Sequence, residues 1–146
     1  MTALKRSTLA LAVCLQFGCA KTRIGGSAPA SLEQATLSLG DRQYHLDECR
    51  SGDLAYFLGV DLADRSRTAR VRLAIDPMSG PRIRVQVEHN QPLVLVSQQC
   101  RQLDAEATPT GWQVDTVRDV SGFVDAECTS ETGQAVSLHV RFSHCH

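Results

Sequence analysis

Two lysines, one tryptophan and the absence of any long apolar run are the scarcities that first constrain this chain of 146 residues. A membrane-spanning helix needs about 20 consecutive apolar residues. The longest candidate, Leu9 to Phe17, is roughly half that length, so no transmembrane anchor is expected. Basic side chains are almost all arginine, thirteen against two lysines, and the formal net charge is only −1. That balance gives no electrostatic reason to expect nucleic acid or an anionic bilayer surface as a partner. The arginine excess itself suggests a GC-rich genome rather than binding. Catalytic signatures are missing too: no serine sits in a G-x-S-x-G elbow, and no D-x-D-x-D-G series is present to cage calcium. The roles that define an active site cannot be filled, so neither catalysis nor a cofactor is expected.

The N-terminus has the layout of an export signal over residues 1–18: basic Lys5 and Arg6, the apolar centre, then small residues. Two processing routes fit its end. A lipoprotein peptidase would cut before Cys19 and leave it as the acylated N-terminus, with Gly18 just upstream and Leu15 four positions before. Gln16 and Phe17 depart from the usual lipobox, which carries leucine three positions and a small residue two positions before the cysteine. The competing route reads Gly18-Cys19-Ala20 as an A-x-A-like site, cut after Ala20 to release a free protein. Lipidation of Cys19 is the reading adopted. Loss of Lys5 and Arg6 would lower the basic count from 15 to 13 against 16 acids, which leaves the mature chain near −3.

Residues 19–31 form the lipidated N-terminus and a Gly/Ser/Pro-rich tether, "KTRIGGSAPAS", reaching on the order of 15–20 Å. Residues 32–146 are enough for one domain. With Cys14 in the signal and Cys19 acylated, Cys49, Cys100, Cys128 and Cys145 remain, an even number that suggests two disulfides in an oxidising compartment.

From Ala35 onward hydrophobicity recurs mostly every second residue, the strand period. "ATLSLGDRQYHL" places a Gly40-Asp41 turn between two short runs. "DLAYFLGVDL" fits either period, and Gly59 favours strand. In "ARVRLAIDPMSGPRIRVQVEH", Val71, Leu73, Ile75, Ile83, Val85 and Val87 share one face against Arg70, Arg72, Arg84 and Glu88, so a hairpin turns at Pro77 to Pro81. "PLVLVSQQC" reads as a strand covered on both faces. "GWQVDTVRDV" reads as one alternating strand that slips near Ser121-Gly122 as at a bulge and continues as "FVDAEC". After a polar turn at Thr129 to Gly133, Val136, Leu138, Val140 and Phe142 alternate with Ser137, His139 and Arg141. Eight or nine such strands predict a mainly β fold, an antiparallel sandwich or strongly curved sheet. At most one short helix, near "SLEQA", is expected.

Several side chains invite a functional reading. His139, His144, Cys145 and His146 are metal-ligand types, but neighbours on a strand face opposite ways, and Cys145 is assigned to a disulfide. Solvated histidines beside a bridged cysteine are the simpler reading, and no metal is expected. Asp61 and Asp64 offer too few oxygens for calcium, and His45, Asp47 and Glu48 read as the polar edge of a strand. Trp112, at the start of an alternating strand, reads as core, or as a hot-spot anchor if exposed. Arg70, Arg72, Arg82 and Arg84 form a basic ladder that an acidic partner would recognise, although solubility alone also produces a charged outer face.

If Thr129 to Gly133 is a hairpin turn, Cys128 and Cys145 lie more than about 30 Å apart along the partner strands, whereas bridged Cα atoms lie within about 7 Å. Cys49 then pairs with either Cys145 or Cys128.

A signal ending in Gly18-Cys19, the tether, a short hairpin into Cys49, the Gly-flanked "GDLAYFLG", a long middle hairpin and a closing "VSLHVRFSHCH" together resemble the small mycobacterial lipoprotein antigens of the LpqH type. The resemblance is one of order and spacing over roughly the whole chain. It implies a first-to-last bridge, Cys49–Cys145, which leaves Cys100–Cys128, two cysteines the family typically lacks. It also implies a surface antigen or adhesin-like role. The expectation is therefore a bacterial cell-envelope lipoprotein, held to a membrane by lipid on Cys19 and displaying a binding or antigen-like module to a protein partner. In a Gram-negative host, Ala20 after Cys19 is compatible with outer-membrane sorting. Two other classes remain: a secreted inhibitor of an extracellular hydrolase, acting through a loop such as "DPMSGP" or "HNQP", and a carrier of a lipid or other apolar ligand between the sheets.

Overall fold

The computed structural model describes residues 28–146, so the signal, Cys14 and Cys19 lie outside the described residues. Ten strands run in chain order: β1 (Ser31–Leu39), β2 (Arg42–His45), β3 (Glu48–Ser51), β4 (Gly59–Ala63), β5 (Ala69–Asp76), β6 (Gly80–Val87), β7 (Leu93–Leu95), β8 (Cys100–Val114), β9 (Val117–Thr129) and β10 (Ala135–Cys145). They form two antiparallel five-stranded sheets, ordered β2-β1-β10-β9-β8 and β3-β4-β5-β6-β7. This is the expected sandwich.

The inner faces follow from the period-2 pattern. Leu37, Val124, Leu138 and Val140 of the first sheet and Val60, Leu73, Ile83 and Leu95 of the second are wholly buried, and with their neighbours they form one continuous core. Two crossings carry the chain between sheets. At the first, Leu46 is fully buried and its N–H donates to the Ala35 carbonyl at 2.8 Å, while the next N–H, Asp47, donates to Ala63 in the other sheet at 3.0 Å. Residues 96–99 lead back through a 3₁₀ turn, Ser97–Gln99.

Both bridges are formed. Cys49–Cys145 joins β3 to β10 and so staples sheet to sheet, and Cys100–Cys128 ties β8 to β9 within the first sheet. Asp53 adds a second link between sheets. Its carboxylate accepts from the Arg118 backbone N–H at 3.0 Å and from the guanidinium at 2.7 and 3.0 Å. The guanidinium hydrogen bonds, followed by the backbone one, hold the Asp53 carboxyl below its ordinary pKa.

Four local expectations are corrected. "SLEQA" is not a helix but the start of β1, paired with the end of β10 from Ser31↔Ser143, with a bulge at Gln34 (φ 52°). The edge of β10 supplies backbone partners that outweigh local propensity. In "DLAYFLG" the strand begins only at Gly59, because Gly52–Ala55 make a 3₁₀ turn capped by the Ser51 hydroxyl and closed by left-handed Tyr56. Gly59 itself is obligatory: its φ is 148°, and a Cβ there would sit 1.9 Å from the Leu73 carbonyl oxygen. "PLVLVSQQC" yields only the three-residue edge strand β7, with Val94 46% exposed. "GWQVDTVRDV" is not one strand, since Asp115 and Thr116 adopt positive φ and turn β8 into β9 at Val114↔Val117. The slip near Ser121-Gly122 is real, but the extra residue sits opposite, in β10, between Phe142↔Gly122 and Cys145↔Val120.

Candidate binding face

β-Pairing places the outward residues of the second sheet in rows. One row runs Arg50↔Asp61↔Arg72↔Arg84 across β3, β4, β5 and β6, and the next contains Ala63↔Arg70↔Gln86. Arg82 extends the face beside Ala74. On β5 and β6 the sequence puts these cations outward because each alternates with inward Val, Leu or Ile on the same strand, and on β3 Arg50 lies between bridged Cys49 and buried Ser51. Arg50, Arg67, Arg70, Arg72 and Arg84 all line one shallow, open depression of about 340 Å³, with Glu48 and Asp61 as its acids. The expected basic ladder is thus a real face, widened by Arg50 and Arg67, which sequence reasoning missed because they come from a separate strand and a loop.

Only part of this charge is neutralised. Arg72 grips Asp61 with both Nε and Nη2, at 2.7 and 2.8 Å, and its guanidinium stacks 4.6 Å from the Phe57 ring centroid. Arg67 lies 3.8 Å from Glu48. Among the described residues, Arg50, Arg70 and Arg84 form no ion pair, yet Arg84 stands directly opposite Arg72, a like-charge pairing that disfavours folding. The face ends at the loop 52–58, where Phe57 lies against Arg72 and its chain neighbour Tyr56 is 97% exposed.

The other singled-out residues are used structurally. Asp61 is held by Arg72, and Asp64 closes its own loop by accepting from the Ser66 and Thr68 hydroxyls and from the Ala69 N–H at 2.7 Å. Asp47 and Glu48 face Arg65 and Arg67 at 3.6 and 3.8 Å, and exposed His45 ends β2, paired with Thr36. His139 meets Asp125 at 3.2 Å, and His146 Nδ1 meets the His144 carbonyl at 2.8 Å. Among the described residues no three metal-ligand side chains converge. Trp112 is not core but 57% exposed near the β8–β9 turn.

One cluster was invisible in the sequence. The bulge in β10 turns His144 (φ 56°) so that its Nδ1 lies 2.9 Å from Asp119 Oδ2, which also accepts from the Thr110 hydroxyl at 2.7 Å. Asp119 is 2% exposed, and its Oδ1 has no hydrogen-bond partner. No alternation pattern announces this pairing, because the bulge that makes it breaks the pattern.

Between the sheets the buried side chains form one cluster. A hollow of about 610 Å³ lies at the β2 and β7 edges, floored by Leu39, Val85 and Leu93 and bordered by the Arg42–Glu88 ion pair at 3.0 Å. At the β5–β6 tip, Met78 is 95% exposed, and Asp76 Oδ1 accepts from the Met78 and Ser79 N–H groups at 2.7 and 3.0 Å.

Fold and surface together define a two-sheet antiparallel sandwich, doubly stapled, with one arginine-lined outer face. No known protein family, curated protein or solved structure matches the chain.

Proposed function

We propose that this chain is a cell-envelope lipoprotein, acylated on Cys19, whose β domain is a non-catalytic binding or antigen-like module displayed at the surface. The anchor is lipid rather than a helix; no helix among the described residues is long and apolar enough to cross a membrane. The observation that supports this best is the cysteine inventory. The four cysteines of the domain close two bridges with each other, and the remaining two, Cys14 and Cys19, precede the domain in sequence, Cys14 within residues 1–18 and Cys19 just after them. Cys19 therefore has no disulfide role left in the domain and is free for acylation. The Cys49–Cys145 bridge is also the one that the LpqH-type resemblance implies. The arginine face of the second sheet is the part of the module built to receive a partner.

Intact mass of the processed protein from its native host, with and without reduction and alkylation, tests this reading. The expected species starts at Cys19, carries diacylglyceryl and acyl mass, and gains four alkyl groups only after reduction, one per bridged cysteine. A chain starting at Lys21 without lipid contradicts it.

The projecting Met78 loop supports a second reading, the secreted hydrolase inhibitor. Its tip is pinned by the Asp76 carboxylate, as an inhibitory loop requires. That reading goes with cleavage after Ala20 and with inhibition that Met78→Ala abolishes.

A further inference from the structure

The geometry points to a linear acidic polysaccharide, bearing sulfate or carboxylate groups, as the ligand of the arginine face. This inference rests on the reading of the chain as a binding module and names the partner class for it.

Three observations lead there. First, the cations that line the face, Arg50, Arg67, Arg70, Arg72 and Arg84, are all guanidinium. A guanidinium presents a planar fork that grips oxyanions in bidentate fashion, as Arg72 already grips Asp61. Second, the cations are spread over an open surface. They recur at about 5 Å across the strands and about 7 Å along them, so an extended polyanion meets several in succession, whereas a single small anion would use one. Third, the loop that reaches the face through Phe57 also carries a fully exposed aromatic side chain. Tyr56 is 97% exposed, in the left-handed conformation, at the loop whose Phe57 abuts Arg72. An aromatic plane beside guanidinium groups suits a pyranose: the ring packs on the apolar C–H face of the sugar while arginines hold its anionic substituents. An acidic peptide has no such flat face, and one ring offers no row of platforms for successive bases.

The like-charge pair favours the same conclusion. Arg72 opposite Arg84 is unfavourable in the free protein. An oxyanion placed between them relieves that repulsion, so bound ligand and charge arrangement support each other.

The test uses the full processed protein, an immobilised heparin-type sulfated glycan, and poly-glutamate as a polyanion without sugar, at about 150 mM salt where long-range attraction is screened. Arg70→Gln/Arg84→Gln is expected to weaken glycan binding by about tenfold or more. Arg42→Gln/Arg101→Gln removes equal charge elsewhere and is expected to stay within about twofold. Tyr56→Ala is expected to weaken glycan binding severalfold and leave poly-glutamate binding unchanged. Poly-glutamate bound as tightly as the glycan, or glycan binding indifferent to Tyr56→Ala, overturns the polysaccharide assignment and leaves the face itself standing. Equal behaviour of the two arginine pairs toward both probes overturns the assignment and the face together.

Discussion

The two sheets have equal strand numbers and opposite electrostatic design. The first holds the longest strands, β8, β9 and β10 of 15, 13 and 11 residues, and its outward rows are acid-rich. Asp104 stands opposite Asp125, yet Arg141 hydrogen-bonds Asp125 at 2.8 Å, is drawn by the Asp104 charge as well, and stacks 5.0 Å from the Phe123 ring. The second sheet also sets like charges opposite each other, Arg72 and Arg84, but Asp61 compensates only the first. A counter-charge shared between like charges is what stability asks of a solvated sheet. Surplus charge held in place by the rest of the fold is what recognition asks.

The largest expected effects concern what holds the sheets together. Cys49→Ser/Cys145→Ser, opening a 96-residue link between sheets, is expected to cost about 4–5 kcal/mol. Cys100→Ser/Cys128→Ser opens a 28-residue link within one sheet and is expected to cost about 3–4 kcal/mol, so thermal or urea denaturation should rank the two in that order. Leu73→Ala, at the fully buried centre of the second sheet, is expected to cost about 2–5 kcal/mol. Val94→Ala on the exposed edge strand should change stability by less than about 0.5 kcal/mol.

A pH titration sharpens the contrast at the link between sheets. Asp53 is held below its ordinary pKa of 3.8 first by the side-chain hydrogen bonds from Arg118. A carboxyl depressed in the folded state stabilises above its unfolded pKa and loses that contribution as pH falls through the folded one. Stability should therefore drop on acidification below about pH 4. Asp53→Asn is expected to flatten that drop, measured as unfolding midpoint against pH. Asp125, depressed first by Arg141, gives the same sign within the first sheet, so Asp125→Asn serves as the intra-sheet counterpart.

How much of this was legible in the sequence depended on whether local pattern and tertiary pairing agreed. In β5, β6 and β10 as far as Phe142 the alternation is unbroken, and the residues expected inward, such as Val71, Leu73, Ile83, Val85, Leu138 and Val140, are buried. The Arg70, Arg72, Arg82 and Arg84 ladder was visible for the same reason. The Asp115-Thr116 turn was not: it holds neither glycine nor proline, and its one turn-favouring residue, Asp115, is followed by β-branched Thr116 at positive φ. "SLEQA" became strand only because β10 lies beside it. Arg50 joined the face through β3–β4 pairing, and His144 reached Asp119 through a bulge, both set by the whole fold rather than by neighbours in sequence.

The smallest expected effect is the most informative. Arg84→Gln removes one half of the like-charge pair that the fold tolerates, so stability and glycan binding should be measured on the same sample. Stability unchanged or raised by a few tenths of a kcal/mol, together with weaker glycan binding, is what a face kept for recognition requires. Lower stability with undiminished binding would show instead that Arg84 serves the fold, and would contradict the division of roles between the two sheets.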